Sequence, residues 1–263
     1  MSATGRGPEV LYEEAQGVGI VTFNRPEVRN ALTFGVYERL AEICANATAG
    51  GPVKVLLITG AGGKAFAAGT DISLFRSFRS GEDGLSYEKS AERHFTAITN
   101  CAVPTIAAIA GACTGGGAAI AACCDVRIAA ADMAFGFPIA RTLGNLLSAA
   151  TLKKLTTELG AARVKSLLLT ARLMKSDEAL ASGFISEVLP DHESLLRRAR
   201  ELAAELTLQA PLTMRATKEL MRRNESGAKV EDDDWVARVY GSADFREGFE
   251  AFLAKRKPRW QGK

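Results

Sequence analysis

Histidine is scarce in this chain: 263 residues contain two, His94 and His192. His94 falls on a polar helical pattern and His192 follows Pro190-Asp191, so both read as surface residues. A Ser-His-Asp triad and a histidine-built metal site are therefore poorly supported. The HExxH, GxSxG and EF-hand spacings are all absent. Cysteine numbers five, an odd count without CxxC spacing. Cys123 and Cys124 sit in a small-residue run and read as buried hydrophobes, which suits a reducing, cytoplasmic setting. No apolar run approaches the ~20 residues of a membrane span, and the polar start, "MSATGRGPEVLYEEAQG", has no apolar targeting core. Net charge is only +3, which gives no argument for nucleic acid. The basic residues gathered in "AKRKPRWQGK" leave RNA binding as a minor alternative. The segment Gly60-Ala-Gly-Gly-Lys64 misses the phosphate-loop pattern. Ala65 follows the lysine where Ser or Thr is needed, and no glycine stands five residues before Gly63.

What remains is ordinary for a globular protein, 47% hydrophobic and 24% charged. "VGIVTFN", "VKVLLITGAGG" and "TIAAIAG" are short β-branched or apolar runs that end in turn signals. Val126–Pro138 reads as two short strands around a turn at Ala130–Asp132. Thr33 can cap a helix bearing Val36, Leu40, Ile43 and Ala47 at helical spacing. A second helical pattern spans roughly Tyr87 to Asn100, and "AAIAACC" reads as a third. Three times a strand enters a glycine turn and leaves as helix or loop, which predicts an α/β fold. From Asn145 onward the patterns are almost all helical. Ser176-Asp177-Glu178 caps a short helix, Leu195–Leu206 forms another, and "EDDD" (231–234) reads as a solvated helix start. The last helix starts at Ser242 and carries Phe245, Phe249 and Phe252 on one face. The expected division is a core over 1–190 and a helical oligomerisation region over 191–263.

Two glycine turns, "FAAGTDI" and "CTGGGAA", carry the chemistry available to this chain. A helix start exposes backbone N–H groups, and glycine lets a ligand approach them closely. Brought together, the turns would form a two-donor oxyanion hole for an enolate or tetrahedral intermediate. The competing reading is that the glycines only permit tight strand-to-helix packing.

The segments "NRPEVRNAL", "KAFAAGTDI", "CAVPTIAAIAGACTGGGAAIAACCDVRIAAADMAFGFP", "KSDEALASGFISEVLP" and "DFREGFEAFLAKRKPRW" follow one another in this chain. Their order resembles the enoyl-CoA hydratase/isomerase, or crotonase, superfamily from about Val10 to Trp260. The resemblance implies a spiral of ββα units with a helical C-terminal region. It also implies homotrimers or hexamers and an acyl-CoA thioester substrate, with coenzyme A part of the substrate and no separate cofactor or metal. It places the thioester oxygen on the N–H groups of Thr70 and Gly116. The adenine and pantetheine would run along Ala65, Ala67, Ala68, Gly69, Asp71 and Ile72, with Arg29 and Ala31 near the nucleotide and Arg29 opposite its phosphates. Gly115, Pro138, Ile139 and Leu143 would complete the substrate- or CoA-binding set. Lys255 or Arg256 would reach coenzyme A or else belong to a solvated tail.

The chain departs from that pattern at two positions. The resemblance puts one hydratase glutamate two residues after the glycine run, where Ala119 stands. It puts the second after the proline of "FGFP", where Ile139 stands, or Ala140 under a one-residue shift. One positioned acid or base contributes roughly 10²–10⁴-fold, so the usual hydration route is disfavoured. Isomerase-, decarboxylase- or hydrolase-type chemistry, or weak hydratase activity, is expected instead. The alternative is a catalytically poor CoA-ester-binding protein. Arg141, in the loop of the second missing acid, either pairs with a substrate carboxylate or shapes the loop. Asp71 either acts at the site or braces the turn, and Cys113 and Thr114 could face the acyl chain.

Overall fold

A computed structural model describes residues 7–225 and 231–263. The first residues of the polar N-terminal stretch lie outside the described residues. The chain opens with a hairpin, β1 (Val10–Ala15) and β2 (Val18–Phe23), followed by α1 (Phe34–Asn46). Thr33 accepts a hydrogen bond from the Val36 N–H and caps α1 as expected, and Val36, Leu40, Ile43 and Ala47 are buried.

Three β-pairs follow, and in each the first strand joins a large sheet and the second a small one. They are β3 (Val55–Gly60) with β4 (Ala65–Ala67), β5 (Thr105–Ile109) with β6 (Ala112–Thr114), and β7 (Val126–Ala130) with β8 (Ala134–Gly136). After the first pair comes α2 (Gly81–Thr99), and after the second α3 (Gly116–Cys123). After the third come α4 (Ala149–Leu159) and α5 (Ala161–Thr170). The large sheet runs β1-β2-β3-β5-β7-β10, and only β1 is antiparallel. The small sheet runs β4-β6-β8-β9, where β9 is Met174–Lys175 and β10 is Glu187–Leu189. Between them lies α6 (Ser176–Ala181). Its cap is Lys175 rather than Ser176, whose hydroxyl donates to the Ala131 carbonyl.

Strand side chains alternate between faces. Leu56, Ile58, Ala107 and Ile109 enter the main core with α1 and α3. Val55, Leu57, Ile106 and Ala108 point to the opposite face, covered by Leu195, Ala199 and Ala203 of α7 (His192–Thr207). The large sheet is thus buried on both sides, which is why its strands read as continuous apolar runs. The helical region expected from 191 therefore begins with a helix that completes the core. Beyond it lie α8 (Pro211–Glu225), α9 (Asp233–Tyr240) and α10 (Ala243–Leu253). The helix expected from Ser242 is α10, capped by the Ser242 hydroxyl accepting from the Phe245 N–H. Among the described residues no helix is long and apolar enough to cross a membrane, and no cluster of metal-ligating side chains occurs.

Candidate active site

The two glycine turns meet. Gly69, at the end of β4, has φ 106°, and Gly115, which caps α3, has φ 53°. Side chains rarely allow the first angle, and the second, with its ψ of −123°, is comfortable only for glycine. The Thr114 hydroxyl donates to the Ala68 carbonyl at 3.0 Å. A Cβ on Gly115 would lie 3.4 Å from the Gly69 Cα, so the two backbones are in contact. A Cβ on Gly117 would fall 2.3 Å from the Ala67 carbonyl oxygen. Part of the glycine run therefore serves close packing, and the packing reading holds at Gly117.

The neighbouring N–H groups are different. The parallel bridge between Leu32 and Thr70 uses the Gly69 carbonyl and the Asp71 N–H, and bypasses the Thr70 N–H. Gly116 opens α3, so its N–H has no partner within the helix. Among the described residues neither N–H finds an acceptor. Thr70 and Gly116 line one cavity of about 300 Å³. Its walls include Ala68, Gly69, Gly115, Ala119, Pro138 and Ile139. Ile72, Leu143 and Leu146 stand at the same cavity while 63%, 50% and 65% exposed, an apolar lip open to solvent.

A chain of hydroxyls backs the turn. Thr70 Oγ1 lies 2.8 Å from both Tyr37 Oη and Tyr87 Oη. Burial pushes both phenols above their ordinary range, so they stay neutral and can donate. Tyr87, Glu88, Ala91 and Phe95 bring one face of α2 to the cavity. Glu88 is half-buried. Burial raises its carboxyl above the usual range, the Ser148 N–H opposes that shift, and Glu92 one turn away adds to it. The sequence reading missed this helix face. Its spacing of one, four and eight residues from Tyr87 was the available signal.

Other expected residues lie elsewhere. Ala65 and Ala67 are sealed inside β4, where the Ala65 carbonyl accepts from the buried Asn30 amide. Only their neighbour Ala68 faces the cavity. Arg29 is exposed on the adjacent turn, its carbonyl accepting from the Ala68 N–H, with Ala31 two residues on. Asp71 braces the turn: it accepts from the Ser73 N–H and hydroxyl and pairs with Arg25 at 3.0 Å. Arg141 is exposed and outside the cavity wall, as is Ala140. Lys255 follows the end of α10 rather than lying on it, and Arg256 is paired with Glu247. Cys113 is fully buried and its thiol is pushed well up by that burial, which suits packing rather than nucleophilic chemistry. His94 is not a plain surface residue, because it stacks on Tyr37 at 5.8 Å. His192 opens α7 and packs on Gly63 rather than standing free in a turn.

The family model described as "Enoyl-CoA hydratase/isomerase" matches residues 13–263. The chain belongs to the enoyl-CoA hydratase/isomerase family. A probable enoyl-CoA hydratase of Mycobacterium tuberculosis is 34% identical over 259 residues, covering 95% of this chain and 97% of that protein. A crotonyl-CoA hydratase of Syntrophomonas wolfei is 30% identical over 258 residues, covering 97% and 98%. Among solved structures, an enoyl-CoA hydratase/carnithine racemase from Magnetospirillum magneticum superposes with a TM-score of 0.90 at 31% identity. It covers 98% of this chain and 97% of its own. The mixed α/β architecture is thus that of other enoyl-CoA hydratase/isomerase family structures, as the resemblance implied. Within the family framework, Ala119 and Ile139 both line the cavity, and neither can transfer a proton.

Proposed function

We propose that this protein processes acyl-CoA thioesters and holds the thioester oxygen on the N–H groups of Thr70 and Gly116. The observation that carries the reading is the pair of unpaired N–H groups at one cavity with an apolar lip. Such a pair stabilises negative charge on oxygen without a titratable side chain. The buried hydroxyls of Tyr37, Thr70 and Tyr87 hold the first turn in place. Asp71 and Arg25 hold it from the other side. Ala119 and Ile139 occupy the positions where the resemblance puts the two hydratase glutamates. The chemistry therefore centres on oxyanion stabilisation, of an enolate in isomerisation or decarboxylation or of a tetrahedral intermediate in thioester hydrolysis, rather than efficient hydration.

Replacing the Gly116 amide by an ester, through an α-hydroxy acid, removes one N–H without adding an atom. Turnover is expected to fall roughly 10²–10³-fold, the usual effect of deleting one such donor. Unchanged turnover of every thioester in a panel sinks the reading. The same panel separates the second reading, a binding protein with little catalysis, which the apolar Ala119 and Ile139 favour. Calorimetric binding without product or solvent exchange would support it.

We further propose that other copies of the chain, in a trimer or hexamer, cover the apolar face of α9 and α10. Phe245, Phe249 and Phe252 are 46%, 59% and 83% exposed there.

A further inference from the structure

We propose that Glu88, supplied by α2, is the acid–base residue of this site. The inference rests on the oxyanion reading above and adds the group that would move the proton.

Among the described residues that line the cavity, Glu88 is the one charged side chain. Nothing cationic stands there to neutralise it, and it makes no ion pair. It follows Tyr87 directly, and Tyr87 Oη is 2.8 Å from the hydroxyl of Thr70, the proposed oxyanion residue. Its helix face is otherwise apolar at the cavity, through Ala91 and Phe95, with Phe75 and Ile72 beside it. The Ser148 N–H, at the start of α4, is close enough to favour its charged form in part. A carboxylate in an apolar wall is a stronger base than an exposed one. The raised titration of Glu88 agrees with that environment.

One carboxylate facing an enolate site suits a 1,3-proton shift in a 3-enoyl thioester. The carboxylate takes a proton from C2, and the C–H electron pair passes into the carbonyl. A dienolate forms, its oxygen held by the Thr70 and Gly116 N–H groups. The carboxylic acid then returns the proton to C4. The 3,4 double bond is lost, a 2,3 double bond forms, and the atoms balance without water or a second acid. Hydration would require one group to activate water and another to protonate carbon, and this wall offers a single carboxylate.

The competing role for Glu88 is to support the start of α4 near Ser148, and glutamine can also serve there. Exchange of the C2 proton in D2O is therefore followed by mass spectrometry for wild type and Glu88→Gln, using 3-enoyl- and saturated acyl-CoA. Exchange is expected to fall 10²–10⁴-fold with calorimetric binding retained. In Glu88→Ala, added formate is expected to restore part of the exchange, which a supporting role would not allow. The wild-type rate should fall on the acid side, with a midpoint above the ordinary glutamate range. Burial in the apolar wall sets it first, the Ser148 N–H opposes that, and Glu92 on α2 adds to it. Exchange at the wild-type rate in Glu88→Gln, or no formate rescue of Glu88→Ala, overturns the proposal and leaves the oxyanion reading standing. A wild-type protein that neither binds nor exchanges any CoA thioester overturns both.

Discussion

Tyr37 Oη lies 2.8 Å from Thr70 Oγ1, and a Cβ built on Gly116 would fall 1.8 Å from that same phenol oxygen. Tyr37 comes from α1, Thr70 from the first glycine turn and Gly116 from the second. One buried hydroxyl therefore gauges the gap between the two turns that line the cavity.

Gly116→Ala should be costly for this steric reason. The added methyl must displace Tyr37, and overpacking of this kind costs about 1–3 kcal/mol. Tyr37→Phe removes the oxygen, so the next obstacle is the ring carbon at 3.0 Å. The double variant should therefore melt above Gly116→Ala alone, although Tyr37→Phe by itself loses a hydrogen bond worth about 1 kcal/mol. Thermal unfolding of the three variants checks this. Strictly additive losses would show that Tyr37 does not set the gap.

Much of this arrangement was legible in the sequence. The strand-to-glycine rhythm predicts the α/β core, and backbone chemistry alone points to the two glycine turns. The hydroxyl chain was not legible. Tyr37 lies inside a regular amphipathic helix and reads as core, which it also is. Tyr87 and Glu88 were hidden because the helical pattern reads from about Tyr87, whereas α2 starts six residues earlier, at Gly81. Its start is set by Asp83, which accepts from the N–H groups of Arg79 and Ser80. The enclosure of Ala65 and Ala67 was hidden for a different reason. β4 is pressed between β6 and the backbone of Gly60, and spacing along a chain does not report which strand is enclosed.

Asp71 gives the turn a pH dependence. Its carboxyl is held below the usual range, first by the Ser73 hydroxyl and N–H and then by Arg25. A lowered folded value means the stabilisation is complete above the unfolded aspartate pKa, near 3.9, and is lost as pH falls through the folded one. Asp71→Asn should remove that acid-side loss and cost about 1 kcal/mol at neutral pH, a modest figure because the group is partly solvated. Urea unfolding of both proteins between neutral pH and pH 3 checks it. Parallel curves would mean the brace contributes nothing.

Arg127 fixes the far end of the α3 helix. Only 8% exposed, it donates to the Phe184 carbonyl at 2.6 Å and to the Ala121 and Cys124 carbonyls that end the helix. Its remaining nitrogen meets Glu158 at 2.7 Å. Arg127→Leu would strand those carbonyls and leave Glu158 with Lys154 alone. A loss of about 3–5 kcal/mol is expected, the usual cost of breaking a buried charged network. Because α3 begins at Gly116, turnover should fall along with stability. Full activity at a temperature well below melting would separate the two ends of the helix.

The apolar face of α10 predicts association. Phe252 is 83% exposed and Phe249 59%, and the Tyr240 ring of α9 packs at a tilt against Phe245, 4.9 Å between centroids, to extend the patch. Contiguous aromatic surface of this kind is rare on a monomer and marks an interface. Phe249→Glu together with Phe252→Glu places two charges where burial against another copy would desolvate them. The wild type should elute as a trimer or hexamer by light scattering and the double variant as a smaller species. The fold should persist, since these side chains contribute little to the intrachain core. A monomeric wild type would remove the argument and leave the patch for another partner.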